Sequence, residues 1–302
     1  MLKIVRRYKL WFTVSIILAV ISVVAISIFG LRIGIDYKGG TVIEFNTQNS
    51  EAISLTQSTL SDQGYLGYQL KPGSKNQIII RMENISPEKH TLLAEDLKSK
   101  MSDYAETRYD NVGPTIGKDL TNKSILAIII ASIAIILYIA YSFRKLPKPL
   151  SSWIFGVCAI SALLHDLLIT TGFVAIVGYF FPWMEVDALF ITALLTIMGF
   201  SVHDTIVVYD RLRENFIKNP HQDIETIAEE STNQTLARSL NTSITTIIVL
   251  VALLAFGADS IRHFVMILAF GIILGTYSSI FNATPLVVVW HKYSVKSKAT
   301  VK

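Results

Sequence analysis

The stretch Leu194–Asn215 reads LLTIMGFSVHDTIVVYDRLREN, and it decides how the rest of the chain is interpreted. It begins as an apolar run, places His203 and Asp204 side by side within a predicted membrane helix, and ends in a charged cluster. An ionisable group inside a bilayer span costs about 2.5–3.5 kcal/mol on insertion scales, so it is a candidate for function. Arginine at a helix end is ordinary interfacial anchoring. Asp204 is therefore the first candidate site residue.

The composition predicts a polytopic membrane protein. The 302 residues are 51% hydrophobic and only 17% charged, and several apolar runs approach 20 residues. A net charge of +4 can indicate nucleic-acid binding, but here the basic residues lie at the ends of apolar runs and indicate membrane topology. The single cysteine, Cys158, excludes an intramolecular disulfide and a multi-cysteine metal site.

Six apolar runs predict six transmembrane helices. The first follows a basic N-terminus, is longer than the apolar region of a signal peptide and has no convincing cleavage site, so we predict an uncleaved span. The polar segment 210–235 is predicted to be a loop that contains a helix. The predicted spans are approximately residues 10–31, 122–141, 152–179, 186–209, 238–256 and 261–290.

The distribution of Lys and Arg predicts the orientation. Basic residues at the N-terminus, in segments 144–148 and 211–218 and in the tail all fall on one side of the six spans, which the positive-inside rule places in the cytosol. We therefore predict cytosolic termini. The predicted domains are 1–31 (N-terminus and first span), 32–120 (extracytoplasmic domain), 121–290 (spans two to six) and 291–302 (basic tail).

Segment 32–120 has mixed charge, frequent turn residues and no long apolar run, which is typical of a folded domain outside the membrane. Its pattern predicts the element order β-α-β-β-α-β, the ferredoxin-like α+β arrangement. The predicted elements are a strand at Thr41–Asn46, a helix at Ser50–Gly64, a hairpin formed by Leu66–Lys71 and Gln77–Met82 around Pro72-Gly73-Ser74, a helix that starts at Ser86-Pro87-Glu88, and a strand at Ala105–Val112.

Two acids in consecutive spans are the strongest functional candidates. Asp166 lies near the middle of the third span and Asp204 in the fourth, while Arg238 begins the fifth. Each acid alone could be a polar group that an interhelical hydrogen bond satisfies. Together, and with Arg238 as an ionic partner of Asp204, they favour a proton path, because burial and a nearby cation act in opposite directions on proton binding. Arg238 alone is also explained as a snorkelling anchor.

His165 and His203 precede the two acids directly. An imidazole can relay protons because its reference pKa is near neutrality, about 6.5. The alternative is that both rings only form hydrogen bonds. The sequence leaves these two interpretations open.

Several glycines predict close packing or tight turns. Gly271 and Gly275 form a G-x-x-x-G spacing in the sixth span, which lets another helix approach closely. Asp36, Gly39 and Gly40 follow the first span, where a linker turn with positive φ would join the membrane part to the outer domain. The nucleotide-binding interpretation of segment 113–119 fails, because it has one residue too few and no Ser or Thr after its lysine.

Seven sequence blocks together resemble the SecF family of protein-export membrane proteins, which pairs with SecD and is related to the resistance-nodulation-division exporters. They occur in the family's order along the whole chain. One residue departs from the pattern, since His203 stands where the family usually has Asn. The blocks are Gly34–Thr41 (GIDYKGGT), Val112–Pro114 (VGP, with Gly113), Leu164–Asp166 (LHD), Gly199–Thr205 (GFSVHDT), Tyr209–Asn215 (YDRLREN), Arg238–Ser243 (RSLNTS) and Gly275–Ile280 (GTYSSI).

The resemblance implies a subunit without catalytic activity in a bacterial cytoplasmic membrane, which uses the proton-motive force to promote late stages of preprotein export. It implies Asp204 as the proton-coupling acid, with Arg238 and Asp166 as further functional residues, and protons in place of any cofactor or metal. The implied partners are SecD, the SecYEG channel with SecA, YajC and the unfolded preprotein. Two alternatives remain open: a proton-driven half-transporter for a small hydrophobic molecule or lipid, and an assembly scaffold whose buried acids only fix helix packing.

Overall fold

A computed structural model describes residues 2–73, 76–144, 151–181 and 183–300 of the chain. The chain divides into two compact units, which we call the helical unit, residues 1–32 with 126–302, and the sheet unit, residues 33–125. The predicted boundaries of the outer domain were 32 and 120. Three parts of the sequence predictions lie outside the described residues: Ser74 of the predicted turn, Lys145 and Lys148 of the first basic loop, and Lys302 of the tail.

Within the described part of the chain, six helical segments are long and apolar enough to cross a membrane, which confirms the predicted fold class. The last one contains a π-helical turn at Ser279–Ala283 between two α-helices. A single π-helical turn inside an α-helix is rare and is frequent at functional sites. The membrane helices are α1 (Tyr8–Phe29), α5 (Pro114–Ser142), α6 (Ser152–Phe180), α7 (Ala188–Lys218), α8 (Ile224–Phe256), α9 (Arg262–Ser278) and α10 (Thr284–Thr300).

Segment 210–235, predicted to be a loop that contains a helix, is mostly helical, because α7 continues to Lys218 and α8 begins at Ile224. The charged end of α7 keeps a buried apolar stripe at helical spacing, with Tyr209, Leu212 and Phe216 on one face. On the exposed face Glu214 accepts from Arg211 (2.6 Å) and from Lys218 (2.7 Å), three and four residues away, and these pairs add a smaller stabilisation.

The sheet unit contains four strands and the helices α2 (Ile35–Lys38), α3 (Ala52–Asp62) and α4 (Pro87–Lys100). Its strands pair antiparallel in the order β2-β3-β1-β4, and its elements β1-α3-β2-β3-α4-β4 follow the predicted order. Alternate residues of β1 and β3 face a core that α3 and α4 complete. The strands are β1 (Gly40–Asn46), β2 (Gln69–Pro72), β3 (Gln77–Met82) and β4 (Ala105–Val112).

The glycines at the start of the sheet unit have a steric role. Gly39 has φ +76°, and a Cβ on it would lie 3.0 Å from the Cα of Pro114. Gly40 has φ +140°. A Cβ on Gly117 would lie 2.8 Å from the carbonyl oxygen of Tyr37. Only glycine adopts the positive φ of Gly39 and Gly40 without strain, and glycine at 117 leaves room for the Tyr37 carbonyl group. These residues therefore let the two ends of the sheet unit's chain pack against each other.

Candidate functional site

Asp166 on α6 is fully buried among hydroxyl groups from other helices. Its Oδ2 accepts hydrogen bonds from Ser201 on α7 (2.8 Å) and from Ser278 on α9 (2.5 Å). Its Oδ1 lies 3.0 Å from the Nδ1 of His165. A buried carboxyl group is tolerated only when such partners compensate for the lost water. Asp166 therefore joins three membrane helices through one side chain.

Asp204 on α7 is 2% exposed and has fewer partners than Asp166. Its Oδ2 accepts from Thr276 on α9 at 3.3 Å, which is a long hydrogen bond. Thr276 also lies 2.5 Å from the hydroxyl of Ser243 on α8. The buried Ser239 hydroxyl lies beside this carboxyl group as a second potential donor, without a hydrogen bond of normal geometry. The Asp204 carboxyl group is thus held loosely, by one long hydrogen bond and a neighbouring hydroxyl.

The contact between α7 and α9 depends on the two glycines of the predicted G-x-x-x-G spacing. The side chain of Ile197 occupies the space that a Cβ on Gly271 would need. A Cβ on Gly275 would lie 2.9 Å from the Cβ of Ser201. The helices approach closely here, as small residues allow, and this approach places Ser278 within reach of the acid that Ser201 also binds.

The π-helical turn is held by three residues of α7, spaced four apart. Ser279 donates to the carbonyl oxygen of Ser201 (2.9 Å) and accepts from the hydroxyl of Thr205 (2.8 Å). The fully buried Tyr209 donates to the carbonyl oxygen of Ala283 (3.1 Å). The same helix therefore carries Asp204 and fixes the irregular turn of the sixth span.

The predicted ion pair between Asp204 and Arg238 is not present. Among the described residues Arg238 forms no ion pair, and its side chain is exposed while Asp204 is buried. The cause is helix geometry, since successive residues on a helix point about 100° apart. Ser239 and Ser243 occupy the buried face of α8, and Arg238 points away from it.

The two histidines are placed differently. His165 is largely buried and bonded to Asp166, while its Nε2 is buried without a hydrogen-bond partner. His203 is exposed. A continuous relay through both rings is therefore not formed among the described residues, and the hydrogen-bonding interpretation fits His165.

Sequence reasoning missed the hydroxyl residues that surround the acids. Serine and threonine are common in membrane helices, so neither composition nor periodicity distinguishes these positions. The only signal is that all seven lie within the sequence blocks described above. The missed residues are Ser201, Thr205, Ser239, Ser243, Thr276, Ser278 and Ser279.

Comparison with known proteins agrees with the resemblance drawn from the sequence blocks. The family model described as "Protein export membrane protein SecD/SecF, C-terminal" matches residues 93–293. The protein translocase subunit SecF of Thermobaculum terrenum is 43% identical, and the alignment covers 96% of this chain and 94% of that protein. The chain belongs to the SecF family of protein translocase subunits. The SecF of Anaerolinea thermophila is 38% identical over the same shares of both chains.

Solved structures of SecDF extend the comparison to the fold. The crystal structure of SecDF from Thermus thermophilus, a translocon-associated membrane protein, matches with a TM-score of 0.80 and 30% identity. That match covers 95% of this chain and 38% of the SecDF chain, so this chain spans less than half of it. SecDF in its super-membrane-facing form matches with a TM-score of 0.70 and 29% identity. This member of the SecF family is thus a multi-pass membrane protein with the fold of one part of SecDF.

Proposed function

We propose that this chain is a subunit of the Sec protein translocase that uses the proton-motive force to promote late stages of preprotein export. In this proposal it acts with a SecD-like chain, the SecYEG channel and SecA in a bacterial inner membrane, with both termini in the cytosol. The sheet unit faces outward and holds the emerging polypeptide. The observation that carries the proposal is the pair of buried acids, Asp166 and Asp204, each bound by hydroxyl groups of neighbouring membrane helices.

The proposed coupling follows from what a proton does to a carboxyl group. An ionised carboxylate only accepts hydrogen bonds, whereas a protonated one also donates. A proton on Oδ2 of Asp204 would turn this acceptor into a donor toward Thr276, so Thr276 and its partner Ser243 would change their hydrogen bonds. Because these three residues lie on α7, α9 and α8, the change acts on the contacts between helices. A proton that crosses the membrane releases about 2.3 kcal/mol per 100 mV, enough to shift a two-state equilibrium more than about tenfold.

We propose that Arg238 faces Asp204 in a second arrangement of the helices. It precedes Ser239, which lies beside Asp204. A rotation of α8 by about one residue step, roughly 100°, would turn the guanidinium toward the carboxyl group. The two arrangements would then differ in which α8 side chain meets Asp204, a hydroxyl or a cation.

The test is Asp204→Asn, which keeps the size of the side chain and removes its proton binding. We expect proton-dependent export into inverted membrane vesicles to be abolished while the subunit stays at its normal level. Asp210→Asn is the matched control, because Asp210 lies on the same helix, is exposed and pairs only with Arg213 among the described residues. Normal export by Asp204→Asn at normal subunit levels would contradict the mechanism.

The structure also favours one alternative, an assembly scaffold. Asp166 has hydrogen-bond partners on both of its oxygens, which is what a purely packing role requires. If Asp204 has such a role too, Asp204→Asn changes the yield of the assembled complex and leaves the pH dependence of export unchanged. Measuring both quantities on the same membranes separates the two functions.

A further inference from the structure

The residues that precede α1 are bound to α8 through a buried carboxylate. Glu229 on α8 is 5% exposed. It accepts hydrogen bonds from the backbone N–H groups of Ile4, of Val5 (3.2 Å) and of Arg6 (3.0 Å). Ile4 and Val5 are themselves buried, at 3% and 1% exposed. In the sequence, these residues are only part of a basic N-terminus that orients the first span.

A second side chain, one helical turn further along α8, binds the same segment. The Oδ1 of Asn233 accepts from the backbone N–H of Leu2 (2.9 Å), and its Nδ2 donates to the Leu2 carbonyl oxygen (2.9 Å). Residues 2–6 therefore follow one face of α8 and are held mainly through their backbone groups, with one further contact from the Arg6 side chain to the hydroxyl of Thr226 (3.4 Å).

The chemistry of the Glu229 contact explains why an acid is needed. Val5–Arg7 form a 3₁₀ turn before α1, and the side chain of Ile4 provides no cap for it. The first N–H groups of a helical segment lack partners of their own and carry partial positive charge. A carboxylate has two oxygens that accept several bonds, and here it caps these groups from another helix. Among the described residues Glu229 has no Lys or Arg ion pair, so these backbone groups are what compensates its burial.

The chain that continues from the bound segment also contacts the π-helical turn of the functional site, through Trp11. Trp11 donates its indole N–H to the carbonyl oxygen of Ile4 (3.1 Å), and its ring lies 4.3 Å from that of Phe281 in the π-helical turn. Tyr277 donates to the carbonyl oxygen of Trp11 (3.2 Å). Residues 2–11 thus connect the first half of α8 to the turn that follows Ser278.

We infer that Glu229 is a positioning residue that fixes the N-terminal segment and the start of α1 to the first half of α8, so that these parts move as one body. The same helix carries Ser239 and Ser243 beside Asp204 and its partner Thr276. Glu229 thereby sets where α8 lies relative to α1 and the π-helical turn. The binding of the segment does not depend on the proposed proton coupling; only its effect on export does.

Disulfide cross-linking in the full-length protein measures this contact directly. The double variant Leu2→Cys/Asn233→Cys places one thiol on residue 2 and one on residue 233, whose side chain now contacts the Leu2 backbone. The native Cys158 is buried. In isolated membranes under mild oxidation we expect rapid cross-linking, slowed about tenfold by Glu229→Ala, as loss of a cap predicts. Glu230→Ala is the matched control and leaves the rate unchanged. An unchanged rate in Glu229→Ala overturns the assignment.

Two further variants distinguish loss of this contact from a general folding defect. Glu229→Gln keeps one acceptor oxygen, so its rate should fall between those of the wild type and Glu229→Ala. Val5→Pro removes one N–H donor and disfavours the αR backbone angles of Ile4, so it should slow cross-linking at least about threefold. If neither variant changes the rate, the carboxylate does not hold the segment.

Export by the cross-linked protein tests whether the segment and α8 move together. If the segment and α8 move as one body, the cross-linked Leu2→Cys/Asn233→Cys protein exports at the rate of the same protein kept reduced. Loss of export on oxidation, regained on reduction, would show that the two parts separate during the cycle and would overturn the inference. Failure of the proton-coupling proposal appears separately, as normal export by Asp204→Asn, and does not alter the cross-linking rates.

Discussion

The helical unit buries many more polar side chains than the sheet unit and exposes many more apolar ones. The interior of the sheet unit is built from apolar residues such as Ile43, Phe45 and Leu97. In the helical unit, many apolar residues, Ile16 among them, are exposed on the outside, whereas Asp166 and several serines and threonines are inside. The difference follows from the solvent, because lipid is as apolar as leucine and gives no reason to bury it. Burial of apolar side chains away from water stabilises the sheet unit, whereas hydrogen bonds between helices specify how the helical unit packs.

The difference between the two units also indicates which of them carries the proposed proton-dependent function. The few buried hydroxyl groups of the sheet unit, such as that of Thr56, bond within the unit, whereas in the helical unit polar groups select which helices meet. The buried acids belong to this second set, so their hydrogen bonds are both packing contacts and a means of responding to protons. This double role predicts that single substitutions have unequal effects on the stability of the two units.

The largest effect on stability is expected in the sheet unit. Phe45→Ala removes a fully buried ring that packs 4.9 Å from the ring of Tyr104, and should lower the free energy of unfolding by about 3–5 kcal/mol. Urea-dependent proteolysis of the full-length protein in detergent, scored by cuts within 33–125, measures it. Ile53→Ala, at a site 44% exposed, is the control. A loss below about 1 kcal/mol for Phe45→Ala would contradict an interior held by apolar burial.

A smaller effect is expected in the helical unit. Ser278→Ala removes one donor to Asp166 and leaves Ser201 and His165 in place. Hydrogen bonds between membrane helices contribute about 0.6 kcal/mol on average and about 1.7 at most, so the stability loss should stay within that range. Unfolding of the purified protein in increasing SDS measures it. If the loss equals that of Phe45→Ala, the two units do not differ in the way described.

The smallest effect concerns one exposed acid of the sheet unit. The backbone N–H of Gln48 and the hydroxyl of Thr47 donate to Asp103 and hold its pKa below the usual value. Because the folded-state pKa is the lower one, Asp103 stabilises the unit above its unfolded-state pKa of about 3.9, and this contribution is lost as the pH falls through the folded-state value.

Asp103→Asn should therefore reduce the dependence of the sheet unit's stability on pH below about 4. Proteolysis by an acid-active protease between the two pKa values measures the change. Glu95→Gln, at an exposed acid of α4, is the control. An identical acid dependence in wild type and Asp103→Asn would show that these hydrogen bonds do not favour the ionised form.

The sequence predictions succeeded where a strong local signal exists. The long apolar runs give the six spans, and the alternation of strand residues gives the order of elements in the sheet unit. They underestimated the helix content of 210–235, where only residues 219–223 lie between α7 and α8. They failed for the pairing of Arg238 with Asp204, because sequence spacing does not reveal which face of α8 meets α7.

From the sequence alone one could determine the class of protein, the family, the number of spans and the two buried acids, because a charge within an apolar run stands out without any knowledge of the fold. The partners of those acids were decided by tertiary structure. Hydroxyl groups from α7, α8 and α9 reach Asp166 and Asp204 only because two glycines let the helices approach, and Glu229 caps a segment more than 220 residues away in the chain. Such contacts depend on helix rotation and distance, which no local pattern of residues encodes.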